Sequence, residues 1–245
     1  MKKIFFILLL INLYNCSNPS DCFDSTGEII QKEILLDSFD KINVGNEVSL
    51  ILKQGDTQKV IIETGENLIS DVMANVTEGK LFLEDKNTCN LTRDYAITKV
   101  YVTSPNIKEI RSNTARDIKS DGVLNYTTIT LISEDFLEDS LNIGDFNLNV
   151  NANNVAIVSN GNSIFNVTGN TISLHVGFYS GSSRFIGNNL IADRIYILQK
   201  STNDILIHPI NSLEGNIYSI GDVISYNHPN HVEIEEHYTG KLIFQ

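Results

Sequence analysis

From Ile34 onward the chain alternates apolar and polar residues with a period of two, the pattern of strands that bury one face. Val48, Leu50 and Leu52 interleave with Ser49, Ile51 and Lys53, and after Gln54-Gly55-Asp56 a second run passes through Val60, Ile61 and Ile62. Two such runs around a glycine turn read as a hairpin. Leu68, Ile69 and Val72 fall at helical spacing, which predicts one short helix over 66–72. Strands are predicted again over 79–83 and 99–102. Pro105 has no N–H to donate and ends the second of these, and a short strand follows over 107–110.

The second half of the chain repeats. Gly161, Gly181, Gly221 and Gly240 recur at close to multiples of twenty residues, with Ser201-Thr202 at the missing step. Set against these turns, segments 164–167, 184–186, 205–207, 223–226 and 242–244 fall into one register, with secondary strands between them at 155–158, 172–176, 195–198, 217–220 and 232–234. A coil of about twenty residues with short strands joined by Gly, Asn and Asp corners cannot bury its apolar face alone and must stack on its neighbours. The expectation is an all-β fold: a right-handed parallel β-helix-like solenoid with an irregular N-terminal strand region, a single domain over 34–245 whose clearest repeats lie in 146–245. In that arrangement Phe165 and Phe185 lie above one another inside the stack. The many Asn residues, such as Asn151, Asn160 and Asn188, read as corner residues that tolerate left-handed backbone.

The first residues carry a different pattern. Lys2 and Lys3 precede the apolar run 4–13, a charged n-region and an h-region too short to span a bilayer comfortably, so 1–15 read as an export signal. Leu13-Tyr14-Asn15-Cys16 resembles the lipobox of bacterial lipoproteins, which makes Cys16 the lipid attachment residue, and residues 16–33 read as a tether. Cys22 and Cys89 remain. An exported compartment permits a disulfide between them, and the alternative is unpaired thiols, since no Cys-x-x-Cys or Cys/His spacing points to zinc. The net charge of −12, with the 18 basic residues scattered, repels phosphate backbones and argues against a nucleic-acid partner.

Phe39-Asp40-Lys41-Ile42, Gln54-Gly55-Asp56, Glu66-Asn67-Leu68, Gly79-Lys80-Leu81 and Ser104-Pro105-Asn106-Ile107 resemble successive landmarks of the putative auto-transporter adhesin family with the head GIN domain. Ser180-Gly181-Ser182, Ile220-Gly221-Asp222-Val223-Ile224-Ser225-Tyr226 and Tyr238-Thr239-Gly240-Lys241-Leu242 are similar to its recurrent Gly-Ser-Gly-Asp-Ile corners. The resemblance implies a lipoprotein-like β-helical protein of the cell envelope, of the kind found in Bacteroidetes-type bacteria, held at the outer membrane by its lipid. It supplies no catalytic residues.

Candidate chemistry is sparse. His228, His231, Glu233, Glu235, Glu236 and His237 are metal-ligand types within ten residues, but Pro229 places the first two in a turn, and the reading preferred is a solvated corner. Glu134-Asp135 and Glu138-Asp139 are the carboxylate pairs that a glycoside-cleaving site needs, and they read as a charged loop. No nucleophile elbow, zinc-protease motif or phosphate-cradling loop occurs. No catalytic, metal or cofactor-binding residue is therefore assigned. Two functions compete: a non-catalytic surface module, whose flat face carrying Tyr179, Tyr196, Tyr218 and Tyr226 contacts a glycan or another envelope protein or which serves only as a rigid structural element, and a polysaccharide-active β-helix enzyme. The absence of Trp, the usual sugar platform, weighs against the second.

Overall fold

The computed structural model describes residues 25–87, 94, 97–134 and 141–245. Cys16, Cys22 and Cys89, the export signal, and Asp135, Glu138 and Asp139 lie outside the described residues. Seventeen strands fall among those described: β1 (Ile29–Ile34), β2 (Lys41–Val44), β3 (Ser49–Gln54), β4 (Lys59–Gly65), β5 (Val72–Thr77), β6 (Lys80–Asp85), β7 (Lys99–Ser104), β8 (Glu109–Ser112), β9 (Ile118–Leu124), β10 (Thr128–Ser133), β11 (Phe146–Ser159), β12 (Ile164–Phe178), β13 (Arg184–Gln199), β14 (Ile205–Ile217), β15 (Val223–Ser225), β16 (His231–Glu236) and β17 (Leu242–Phe244). The fold is all-β, and the strands join in one seventeen-stranded sheet.

That sheet has two wings. The first runs β1-β4-β7-β3-β9-β11-β12-β13-β14-β15-β17. The second runs β5-β6-β2-β8-β10-β11-β12-β13-β14-β16. Strands β11 to β14 belong to both, each long enough to pass from one wing into the other. Every pairing is parallel except β1–β4, β4–β7 and β5–β6 at the N-terminal end.

Parallel stacking in register puts like side chains over one another. Leu50, Ile118, Phe146, Phe165, Phe185, Ile205 and Val223 form one fully buried column, and Ile42, Ile110, Leu131, Ile157, Val176 and Ile197 form another. Phe165 pairs with Phe185 as the periodicity predicts, and the Phe146 and Phe165 rings stack 4.7 Å apart. The spacing along the column from Phe146 through Phe165, Phe185, Ile205 and Val223 to Leu242 is 19, 20, 20, 18 and 19 residues. The turns stack as well: Ser182 N–H donates to Gly161 O at 2.9 Å and Thr202 N–H to Gly181 O at 3.0 Å. Gly181 has φ +80°, and a Cβ there would strike the Gly161 carbonyl, so only glycine fits.

Inside these corners lies a buried polar seam. The hydroxyls of Ser159 and Ser183 share a hydrogen bond at 2.7 Å, those of Ser133 and Ser163 one at 2.8 Å, and Ser201 Oγ donates to Ser183 O at 2.6 Å. Short hydroxyl side chains satisfy the turn backbone where a strand ladder no longer does.

The N-terminal half departs from the sequence expectation in four places. No register pairs β3 with β4; β7 lies between them, parallel to β3 and antiparallel to β4, so the predicted hairpin is corrected to two strands flanking a third. The predicted helix shrinks to one 3-10 turn at Ile69–Asp71, and Val72 already opens β5. A hairpin that went unpredicted joins β5 to β6 through Glu78 (φ 51°) and Gly79 (φ 72°), two left-handed residues in succession as a type I′ turn requires. β1 occupies the last residues of the segment read as a tether, so the ordered fold begins before residue 34. In the C-terminal half, the strand expected at 217–220 instead ends at Ile217, and its residues Ser212 to Ile217 pair with His231 to Glu236.

Candidate functional site

Side chains alternate across a strand, so residues two apart on the second wing share its outer face. Along that face one column runs His175–Tyr196–Glu214–Glu233 and the next Gly177–Leu198–Asn216–Glu235, each from the register of β12, β13, β14 and β16. A third column continues two residues on: the N–H groups of Tyr179, Lys200, Tyr218 and His237 donate at 2.8 to 2.9 Å to the carbonyls of Ser159, Phe178, Gln199 and Ile217. Twelve positions from four successive segments thus form a grid on one surface.

The aromatic members pair along the stack. The His175 and Tyr196 rings stack nearly parallel with centroids 5.1 Å apart, and Tyr218 and His237 lie 4.2 Å apart at an interplanar angle of 4°. Lys200 Nζ sits 5.2 Å from the Tyr218 ring centre, a cation–π contact. Gly177 leaves room for its neighbour: a Cβ there would come within 3.1 Å of the Tyr179 ring. Burial holds the His175 imidazole below its usual pKa, which favours the neutral ring in the stack. The hydrogen bond between His237 Nε2 and Asn216 Oδ1 spans 2.8 Å, and Tyr218 Oη lies 3.4 Å from the same oxygen.

Beside Tyr196 the surface dips into a cavity of about 150 Å³ lined by Tyr196, Glu214, Gly215, Asn216, Glu233 and Glu235. Its carboxylates have histidine neighbours: His231 Nε2 lies 3.6 Å from Glu214 and 3.7 Å from Glu233, and His237 Nε2 lies 3.5 Å from Glu235. Gly215 forms the floor with φ +138°, and a Cβ there would collide with the Ile197 carbonyl oxygen.

Of the four tyrosines placed on one face by the sequence, Tyr179, Tyr196 and Tyr218 are there, with 48, 43 and 44% of each exposed. Tyr226 is not. It follows β15 in the first wing, where its N–H donates to Ile207 O, because the glycine spacing that aligned it runs through the other arm of each coil. The histidine-rich segment also divides: His228 stacks on Phe244 at 4.3 Å, whereas His231 and His237 join the grid. Among the described residues no group of three His, Cys, Asp or Glu side chains is placed to hold a metal ion. Glu134 accepts two hydrogen bonds from the Arg111 guanidinium at 3.3 Å, so it is a structural ion-pair partner. His175 and Lys200 were not singled out by sequence reading. Their positions, 21 residues before Tyr196 and 21 after Tyr179, carry the same repeat that places the tyrosines.

Several solved structures share this shape. A putative adhesin from Bacteroides fragilis has a TM-score of 0.78 at 15% identity, with 91% of this chain and 100% of that one covered. A putative lipid binding protein from Parabacteroides distasonis gives 0.61 at 15% identity, covering 91% and 99%. A putative adhesin from Parabacteroides merdae gives 0.57 at 16%, covering 90% and 98%. At such identities the likeness is one of fold. No curated protein matches the chain. The family model described as putative auto-transporter adhesin, head GIN domain, matches residues 38–229, and the chain, matched over most of its length, belongs to that family.

Proposed function

We propose that the protein is a non-catalytic adhesion module of the bacterial cell envelope, a right-handed β-solenoid held to the outer membrane through lipid on Cys16, which contacts a glycan or another envelope protein with the outer face of its second wing. The grid carries this reading: four successive segments bring Tyr179, Tyr196, Tyr218, His175 and His237 to one surface, with a shallow dip beside Tyr196. Rings and polar groups repeating at the strand spacing of about 4.8 Å suit an extended ligand laid along the stack. The offset of 17 to 21 residues between parallel partners supports the solenoid, and membership of an adhesin family supports surface exposure.

Two experiments test it. Cys16→Ser is expected to move the protein from the membrane fraction to the soluble exported fraction, because each buried acyl CH₂ contributes roughly 0.8 kcal/mol and that anchorage is lost; unchanged membrane association removes the lipid anchor. Glycan-array and envelope-extract binding by the wild type should be lost in Tyr196→Ala/Tyr218→Ala. Binding that survives this pair of substitutions places the contact elsewhere, and release of reducing ends from a bound glycan would favour the polysaccharide-active enzyme instead.

A further inference from the structure

We infer that the outer face of the first wing is a self-association surface, and that its occupant is the same face of a second copy of this chain, related by a twofold axis running along the stack. This surface lies on the other wing from the adhesive grid, and it stands or falls independently of that reading.

The register of β12, β13, β14, β15 and β17 places one column at Asn166, Ile186, Leu206, Ile224 and Ile243. The residue before each of the first four, Phe165, Phe185, Ile205 and Val223, is fully buried, so alternation turns this column outward. Four successive aliphatic side chains thus stand where the second wing carries His, Tyr and Glu. Ile186, Leu206 and Ile224 are half-buried, while Ile243 and, at the upper border, Ile164 are exposed. Toward the N-terminal end the column becomes polar through Asn166, Asn147 and Lys119, so the stripe is bounded. A contiguous apolar stripe rimmed by polar residues on an outer face marks a contact surface.

The flanks of the stripe name its occupant. Two residues before it lie Arg184, Asp204, Asp222 and Lys241, and two residues after it Asn188, His208, Tyr226 and Gln245. Each flank is a column in its own right. Asp204 Oδ1 accepts the Asp222 N–H at 3.1 Å and Asp222 Oδ1 the Lys241 N–H at 2.8 Å. On the other side His208 Nδ1 lies 3.2 Å from Asn188 O, and the N–H groups of Tyr226 and Gln245 donate to Ile207 O and Ser225 O. A twofold along the stack and through the stripe lays Leu206 on Leu206 and Ile224 on Ile224 of the second copy, and it exchanges the flanks at equal height. Asp204 then faces His208 of the second copy, Asp222 faces Tyr226, Arg184 faces Asn188 and Lys241 faces Gln245, with no like charges opposed. A twofold along the strands would instead set Arg184 against Lys241 and Asp204 against Asp222, repulsive in both cases. Charge therefore selects one axis.

Sheets packed face to face lie about 10 Å apart, a gap that aliphatic side chains from both copies fill. Five segments about 4.8 Å apart and three positions about 6.8 Å apart make a patch of about 500 Å² per copy. The total of about 1,000 Å² is the lower limit for a specific interface, so the dimer is a weak one. A lipid surface fits less well: Asp204 and Asp222 would enter the headgroups beside the stripe, and the net charge of −12 is repelled by anionic lipid.

The test is sedimentation equilibrium of the full chain carrying Cys16→Ser, so that no acyl group on that residue contributes to association, between about 10 µM and 1 mM, a range suited to a weak interface. A monomer–dimer equilibrium is expected. Leu206→Thr/Ile224→Thr, which keeps β-branched residues on the strands, should weaken it at least tenfold, with far-ultraviolet circular dichroism unchanged. His208→Asp, a single change at a half-buried outer position, sets a carboxylate against Asp204 of the second copy and should also weaken it at least tenfold. Thr202→Asp, the same charge change in an exposed turn, and Tyr196→Ala/Tyr218→Ala, on the other wing, should leave it within twofold. A monomer throughout the range overturns the inference, as does a dimer indifferent to His208→Asp. Equal weakening by Thr202→Asp also overturns it, because that marks general charge repulsion. Binding of the monomer to phosphatidylcholine vesicles, lost in Leu206→Thr/Ile224→Thr, would replace the second copy by a lipid surface.

Discussion

Single residues carry more of this fold than their size suggests. Ser159 is buried and serves three partners: it donates to Ser133 O at 2.8 Å, shares a hydrogen bond with Ser183, and accepts from Gly161 N–H at 3.2 Å. Ser159→Ala removes this partner from all three, although Ser133 O keeps the Asn160 N–H at 3.3 Å, and a loss of about 1 to 3 kcal/mol is expected in urea unfolding. Glu78 sits at φ 51° in the β5–β6 turn, a conformation that Asn tolerates better. Glu78→Asn should therefore gain about 0.5 to 1 kcal/mol, read as a raised urea midpoint. Tyr126 gives a pH signature. Its hydroxyl, buried and donating to Ser104 O at 3.2 Å, is pushed up to about 12 by desolvation. The folded state thus holds this proton more tightly than the unfolded state, whose phenol titrates near 10. The stabilisation is complete below pH 10 and is lost as pH rises toward 12. Tyr126→Phe should show a flatter fall in stability over that interval, and equal slopes would remove the assignment.

At the scale of elements, legibility followed locality. In the C-terminal half one column of parallel segments is legible from glycine spacing alone, because each repeat carries the turn chemistry of the one before it: Phe165 on Phe185, Phe185 on Ile205, Ile205 on Val223, Val223 on Leu242. Phe185→Ala removes one step of this column and should cost about 3 to 5 kcal/mol, since neighbours hydrogen-bonded on both sides cannot collapse into the space. The N-terminal half is less legible for the opposite reason. β4 finds its partners at β1 and β7, the latter some forty residues on, and nothing in a period-two pattern says that β7 enters between β3 and β4. Glu78-Gly79 escaped notice because its first residue is a poor left-handed former, so the usual Asn-Gly signal is missing. The face of the candidate site was legible for three tyrosines. Its histidines and glutamates were legible only as a corner, since register, not composition, puts Glu214 between Tyr196 and Glu233.

At the scale of the whole molecule, the wings have different ends. At one end β1 and β4 turn antiparallel and β5 closes back on β6; at the other, β16 pairs with β14 alone and β17 with β15 alone among the described strands. Removing residues 238–245 takes away β17 and uncovers Val223, which is fully buried. The expected result is concentration-dependent aggregation in size-exclusion chromatography, and a soluble monomer would show that β17 is dispensable to the core. The regular offset between parallel partners also has a mechanical meaning. A pull along the stack loads its backbone hydrogen bonds one ladder at a time, and each repeat that yields frees 17 to 21 residues of chain, roughly 55 to 75 Å when extended. A cell held through such a protein would not part from its surface in one rupture; the tether would lengthen in even steps, each dissipating load before the next coil gives, and single-molecule extension between the two ends should trace a sawtooth with that spacing.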